Sequence, residues 1–292
     1  MNTRNKSSNP PALQCYMNMG TLAELPEFSK APRGDAREVL AALKDAGFQG
    51  VQGGDPKLCG ELGLGISGGG RVDKVGDAAK LVDQHLGLGF DCVTVHVGTG
   101  LEDDSQAGSL IEDILRASEK GKFPIYIETH RATITQDIWR SVQWVKRFPE
   151  IRFNGDFSHW YTGLEMVYGD IEGKFNFLEP VFDRVRFIHG RIGNPGNIQV
   201  DIGDGTNQTY VDHFKEMWTR SFAGFLKSAK PGDYVVFAPE LLFPRIYYAR
   251  TFPDSKGVPR EEGDRWQQAL LYNQIARACF EEARQRTYQA GS

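Results

Sequence analysis

The sequence predicts an α/β protein folded as a single (β/α)8 barrel. Three observations carry this. Eight short apolar runs recur along the chain, and most are followed by a segment of helical periodicity. The length, 292 residues, suits an α/β barrel, which typically takes about 250. The last four runs each end in a carboxylate or an imidazole, as expected where strand ends converge on one face.

In order, the apolar runs span residues 13–19, 50–52, 63–67, 92–97, 124–128, 151–156, 185–189 and 234–240. A helix over 36–46 precedes the second. Its Val39, Leu40, Leu43 and Ala46 recur at helical spacing, and Gly47 stops it. Helices over 78–86, 110–118, 138–146, 178–182 and 210–227 lead into the fourth to eighth runs, and one over 265–284 closes the chain. Such alternation, with short turns marked by Gly or Asp, argues for parallel βαβ units, and eight of them favour a closed ring. No GxGxxG follows the first run, which disfavours a dinucleotide fold. No linker divides the chain. Residues 1–12 read as a flexible leader, 13–288 as one catalytic barrel, and 290–292 as a loose end.

Composition is that of an ordinary soluble protein, with 40% hydrophobic and 25% charged residues. A net charge of −4 creates no field for phosphate backbones or anionic lipid, so neither nucleic acid nor membrane is an expected partner. Cys15, Cys59, Cys92 and Cys279 are far apart and form no CxxC pair, so they read as buried free thiols. No stretch approaches the ~18 apolar residues of a membrane span. The N-terminus lacks the apolar core of a signal peptide, and a cytoplasmic location is expected.

The fifth run leads to Glu128 and His130, the sixth to Asp156 and His159, the seventh to His189 and Arg191, and the eighth to Glu240. On a barrel, two glutamates, an aspartate and a histidine would meet on one face. Three clustered carboxylates repel unless a cation sits among them. One divalent metal ion resolves that conflict, and an oxygen-rich set with one imidazole suits Mn2+, with Mg2+, Co2+ or Zn2+ as alternatives. Taken singly, Asp156 reads as a helix cap, and His96 or His130 as a hydrogen-bonded wall residue. The recurrence on four consecutive strands outweighs those readings.

The segments Leu43-Lys-Asp-Ala-Gly-Phe-Gln-Gly-Val51, Ile127-Glu-Thr-His130, Asp156-Phe-Ser-His159, His189 and Pro239-Glu-Leu-Leu242 resemble the xylose-isomerase-like TIM barrel superfamily, which includes sugar phosphate isomerases and epimerases. The resemblance covers nearly the whole chain. It implies a metal held by Glu128, Asp156, His189 and Glu240, with Glu128 and Glu240 moving protons on opposite faces of the substrate. It also implies that His159, in the Asp-x-x-His motif, touches substrate oxygens. Two positions depart from the pattern. The second strand reads Val51-Gln-Gly-Gly54 where many relatives end in Glu, and Arg191 stands where many place an acidic residue.

The expected activity is that of a divalent-metal-dependent isomerase or epimerase of a sugar or keto-sugar. The metal stabilises an enediolate and the glutamates transfer the proton. Expelling a β-substituent from the same enediolate gives the alternative, a lyase or dehydratase on a keto-sugar, cyclitol or glycoside, which the two departures favour. His159, His130, Arg191 and His96 are candidate substrate-binding residues. Residues 67–71, Ser-Gly-Gly-Gly-Arg, read either as a phosphate-wrapping turn or as a loop over the mouth. Residues 194–207 read as a mobile lid. Trp160, Tyr161, Phe243 and Tyr247 are candidates for packing on a sugar. A DNA-repair endonuclease of the endonuclease IV type is disfavoured by net charge and by the lack of an Asp-x-His motif after His189. A non-catalytic sugar-binding barrel is disfavoured by the complete ligand set. A homo-oligomer is left open.

Overall fold

The computed structural model describes residues 1–5 and 7–290; most of the loose end expected at 290–292 lies outside the described residues. Eight parallel strands close into a ring. They are β2 (Ala12–Asn18), β3 (Gly50–Gln52), β4 (Gly65–Val72), β5 (Cys92–Val97), β6 (Ile125–Glu128), β7 (Phe153–Asn154), β8 (Val185–Gly190) and β9 (Asp233–Pro239). Each pairs with the next, and β9 pairs with both β8 and β2. The expected (β/α)8 barrel is therefore the fold. Among the described residues no helix is long and apolar enough to cross a membrane.

The outer layer holds α1 (Ala36–Asp45), α2 (Pro56–Leu62), α3 (Asp77–Gly87), α4 (Asp104–Gly121), α5 (Ile138–Arg147), α6 (Ser158–Gly163), α7 (Ile171–Phe182), α8 (Thr209–Leu226) and α9 (Arg265–Ala290). Asp35, Asp55, Asp103, Asp137 and Asp170 start α1, α2, α4, α5 and α7 by accepting from backbone N–H groups of the first turn. The short α2 and α6 are additions to the expected set, and α7 begins seven residues earlier than expected.

The segment expected as a leader carries β1 (Thr3–Arg4), which pairs antiparallel with β9. Thr3 is buried with its hydroxyl 2.5 Å from that of Tyr126, and Gly232 N–H donates to the Asn9 carbonyl. This tail covers the N-terminal end of the ring and is part of the packing.

Residues 67–71 are neither a phosphate turn nor a mouth loop: they lie inside β4, paired with β5 from Ser67↔Cys92 to Val72↔Val97. The glycines are there for packing. A Cβ on Gly68 would stand 2.2 Å from the His85 ring, and one on Gly70 2.7 Å from Leu81, both on α3.

Alternation along the strands sorts the core into two layers. Cys15, Met17, Val93, Val95, Ile125 and Ile127 join the cluster shared with the helices. Tyr16, Cys92, Tyr126, Phe187, Tyr234, Val236 and Ala238 form a separate cluster inside the ring. Continuing those inward positions by twos gives Asn18, Thr94, His96, Glu128, His189 and Glu240. The lower lumen is thus sealed by rings and methyls, and the polar residues collect at the C-terminal mouth.

Candidate metal centre

Each candidate ligand sits at or just beyond a strand end. Glu128 closes β6, and its carbonyl accepts from the Thr135 hydroxyl at 2.6 Å. Asp156 follows β7 by two residues and its Oδ1 accepts from the Ser158 hydroxyl at 2.5 Å. His189 lies in β8, and Glu240 follows the last residue of β9. One ligand-type atom from each of Glu128, Asp156, His189 and Glu240 can be chosen so that all lie within 4.8 Å of one another. The structure therefore brings the four expected ligands together.

His189 Nδ1 lies between the glutamates, 3.4 Å from Glu128 Oε2 and 3.3 Å from Glu240 Oε2. Its Nε2 faces Gln52 Oε1 at 2.8 Å, an acceptor that also takes an N–H from Asn18 Nδ2 at 2.8 Å. That contact holds the ring with Nδ1 toward the carboxylates, the usual arrangement of a ligating histidine. Asn18 also donates to Glu240 Oε1 at 3.0 Å, and Gln52 Nε2 donates to Thr94 at 2.9 Å. Asn154 Nδ2 donates to Glu128 Oε2 at 3.1 Å, and its Oδ1 accepts from the His189 backbone. Asn18, Thr94 and Asn154 were not singled out in the sequence, and Gln52 only as a departure from the family pattern. The period-two alternation points to them, since Asn154 precedes Asp156 by two and Gln52 ends its strand.

Arg191, expected to touch substrate, is buried among the candidate ligands. Its Nη1 lies 2.9 Å from Asp156 Oδ2 and its Nη2 donates to Glu240 Oε2. The Tyr248 ring stacks on the guanidinium at 4.4 Å; burial works against its charge, but Asp156 and Glu240 outweigh it and keep the arginine charged. Three carboxylates against one arginine leave two negative charges, and a divalent cation cancels them. Asp156 Oδ2 is also fully buried without an aligned hydrogen bond. The donor set and that oxygen fit a divalent ion.

Without one, protons fill the role. Burial drives the Asp156 carboxyl up to about 6, helped by Glu128 and Glu240 and opposed by Arg191. For His189 burial favours the neutral ring, but Glu240, Glu128 and Asp156 outweigh it and lift the imidazole to about 9. For Glu128 burial works upward, while His189 and His96 pull it well below the ordinary range.

Three further histidines, His96, His130 and His159, form a stack along one wall. The His96 and His130 rings lie 4.1 Å apart, and those of His130 and His159 3.9 Å. His96 Nε2 lies 3.1 Å from Glu128 Oε1, and His159 Nε2 lies 3.5 Å from Asp156 Oδ2. Burial lowers His130 to about 4, and burial with His130 and Arg191 nearby holds His159 well below its usual value.

The aromatic expectation is corrected. Trp160 and Tyr161 are core residues, donating to the Thr135 carbonyl and pairing with His213; Tyr247 is exposed, and Phe243 packs under Arg245. Tyr248 is the ring at the site. In the expected lid, Gln199, Val200 and Ile202 are buried, and Gln199 exchanges two hydrogen bonds with the Leu242 backbone. That part is fixed packing.

Fold and site together define a (β/α)8 TIM barrel with a carboxylate–imidazole cluster at its mouth. A xylose isomerase-like TIM barrel protein from Mycobacterium smegmatis in complex with magnesium superimposes with a TM-score of 0.54 at 12% identity, over 94% of this chain and 97% of that one. A D-tagatose 3-epimerase-like protein gives 0.53 at 12% identity, over 94% and 99%. The probable 3-DHS dehydratase AsbF of petrobactin synthesis from Bacillus anthracis gives 0.50 at 11%, over 81% and 94%. At these identities the likeness is one of fold. No family model and no curated protein matches the sequence.

Proposed function

We propose that the protein is a divalent-metal-dependent isomerase or epimerase of a sugar or keto-sugar, with Mn2+ as the ion. The convergence of Glu128, Asp156, His189 and Glu240 within 4.8 Å carries this reading. The magnesium complex of a protein of the same fold supports it. When bound, the ion supplies a Lewis acid for negative charge developing on a substrate oxygen.

The chain's own residues supply the rest. Glu128 and Glu240 flank His189 Nδ1 from strands at different places in the ring, so one carboxylate removes the proton beside a carbonyl and the other returns one. Return to the same carbon inverts it; return to its neighbour isomerises the sugar. His159 and His130, neutral and stacked at the mouth, offer ring nitrogens to substrate hydroxyls, and His96, about a third exposed, lines the entrance.

A second reading, a lyase or dehydratase on a keto-sugar, cyclitol or glycoside, rests on Arg191. Its guanidinium is bonded to Glu240 and not to Glu128, so the two glutamates are not equivalent. One base beside a fixed cation suits loss of an anionic leaving group.

The test incubates the wild type and Glu240→Gln in D2O with ketoses, keto-sugars and inososes. Metal-dependent deuterium entry beside a carbonyl, lost in Glu240→Gln, is the expected result, and the product separates the two readings. Metal bound without exchange on any substrate would sink both.

A further inference from the structure

Three arginines gather at the N-terminal end of the ring, on the face opposite the mouth. Arg152 and Arg184 stand just before β7 and β8, and Arg186 is the second residue of β8. Arg152 Nη1 and Arg184 Nε donate to the same oxygen, the Pro149 carbonyl, each at 3.1 Å. Arg152 Nη1 also reaches the Ile151 carbonyl at 2.7 Å, and Arg184 Nη1 the Pro180 carbonyl at 2.9 Å. Arg186 is 1% exposed and donates to the Asp183 and Val185 carbonyls, Asn2 Oδ1 and Ser228 Oγ.

Every one of those acceptors is neutral. The acidic groups that act on the cluster are Glu150, exposed, and Asp183, whose Oδ1 is taken by Lys227 Nζ at 2.7 Å. Among the described residues no carboxylate forms an ion pair with any of the three arginines. A buried charge ordinarily has a partner of opposite sign. The carbonyls that close α5 and α7 carry only partial charge and offset part of the deficit. Burial and then Arg152 lower Arg186 to about 10, and burial and then Arg184 lower Arg152.

The donors point the same way. Arg152 Nε is fully buried with no hydrogen bond. Among the described residues Nη2 of Arg152 and Nη2 of Arg184 also donate to nothing. Backbone carbonyls hold the two guanidinium groups together while one edge of each stays unspent.

We propose that this cluster is an oxoanion site that takes a phosphate group, held by Arg152 and Arg184 with Arg186 behind them. A tetrahedral dianion accepts from two guanidinium forks at once and supplies the missing counter-charge. The chain is acidic as a whole, so the excess of positive charge is local. The site lies across the barrel from the carboxylate–imidazole centre and does not depend on a metal there.

The test locates phosphate on the wild-type protein. The full chain is treated with phenylglyoxal, which modifies arginines, with and without inorganic phosphate, and the modified positions are read by peptide mass. Phosphate should slow modification of Arg152 and Arg184 and leave the exposed Arg131 at the mouth unchanged. Chloride at equal ionic strength should protect neither. In calorimetric titration Arg184→Gln should bind inorganic phosphate at least about tenfold more weakly than the wild type, and Arg131→Gln should bind it equally well. The same titration with glycerol 3-phosphate separates the sources: binding admits phosphate esters, and its absence restricts the site to the free ion. Protection of Arg131 in place of Arg152 and Arg184, or an affinity unchanged in Arg184→Gln, overturns the proposal, as does a wild type that binds no phosphate. The protection pattern needs no variant, so a misfolded Arg184→Gln leaves the test intact.

Discussion

Arg191 places its guanidinium between two candidate metal ligands, with Nη1 2.9 Å from Asp156 Oδ2 and Nη2 on Glu240 Oε2. The arginine is an internal counter-ion, and it shares its carboxylates with whatever cation binds. Breaking a buried ion pair by removing one partner costs about 3–5 kcal/mol. Arg191→Met should therefore melt well below the wild type when metal is chelated. Mn2+ should restore more of the loss in the variant than it adds to the wild type, because the two cations serve the same charge deficit. Thermal melts with and without Mn2+ measure this; an equal metal-induced shift in both proteins would separate Arg191 from the centre.

Metal affinity should rise with pH. Binding needs Asp156 ionised and His189 Nδ1 free of its proton, and these groups stand at about 6 and about 9. Near pH 7.5 Asp156 is already ionised, so about one proton, from His189, should be released per ion. The sign for stability is opposite in the chelated protein. His189 is raised above its unfolded value near 6.5, so its contribution is full below pH 6.5 and is lost as pH rises through 9. Asp156, raised from 3.8, adds a penalty between about pH 4 and 6 in the same direction. The chelated protein should lose melting temperature from pH 7 to 9, while the Mn2+ form should not. Calorimetry in two buffers of different ionisation enthalpy counts the proton; zero release would contradict the placement of His189 as ligand.

Gln52 positions His189 without joining the ligand set. Its Oε1 receives the Nε2 side of the ring at 2.8 Å and is itself held by Asn18. Loss of such a support typically costs 10–100-fold in metal affinity. Gln52→Leu should weaken Mn2+ by about that factor and leave the far-UV spectrum unchanged. Gln52→Glu supplies an acceptor again and should recover binding. Titration of Mn2+ into both variants checks it, and an unchanged affinity in Gln52→Leu would show that the ring is held by packing alone.

Much of this centre was legible in the sequence. Glu128, Asp156, His189 and Glu240 stand out because each ends an otherwise apolar run, and a parallel barrel turns that linear regularity into one face. Arg191 was visible as a residue but not as a counter-ion. The choice between substrate and Asp156 as its partner depends on where the backbone turns after β8, a tertiary matter. Tyr248 was missed because loop backbone carries no period to read. Residues 1–12 were misread because β1 is two residues long, too short for any pattern, and is held by β9 more than two hundred residues away.

Gly68 and Gly70 were read as a turn or loop because three consecutive glycines ordinarily break a strand. The structure gives the opposite meaning: β4 needs them so that α3 can lie close. At Gly68 an added Cβ meets the His85 ring at 2.2 Å, and that ring is itself fixed by Nδ1 at 2.8 Å from the Leu81 carbonyl. His85 cannot yield without giving up that bond or moving the helix. Gly69, on the other face of the same strand, meets nothing within 4 Å. Overpacking of this kind costs about 1–3 kcal/mol. Gly68→Ala should therefore lower the melting temperature by several degrees, whereas Gly69→Ala should be near neutral. Neither should alter Mn2+ affinity, since β4 contributes no ligand. If Gly69→Ala were the more damaging of the two, the pairing of β4 with α3 described above would be wrong in register.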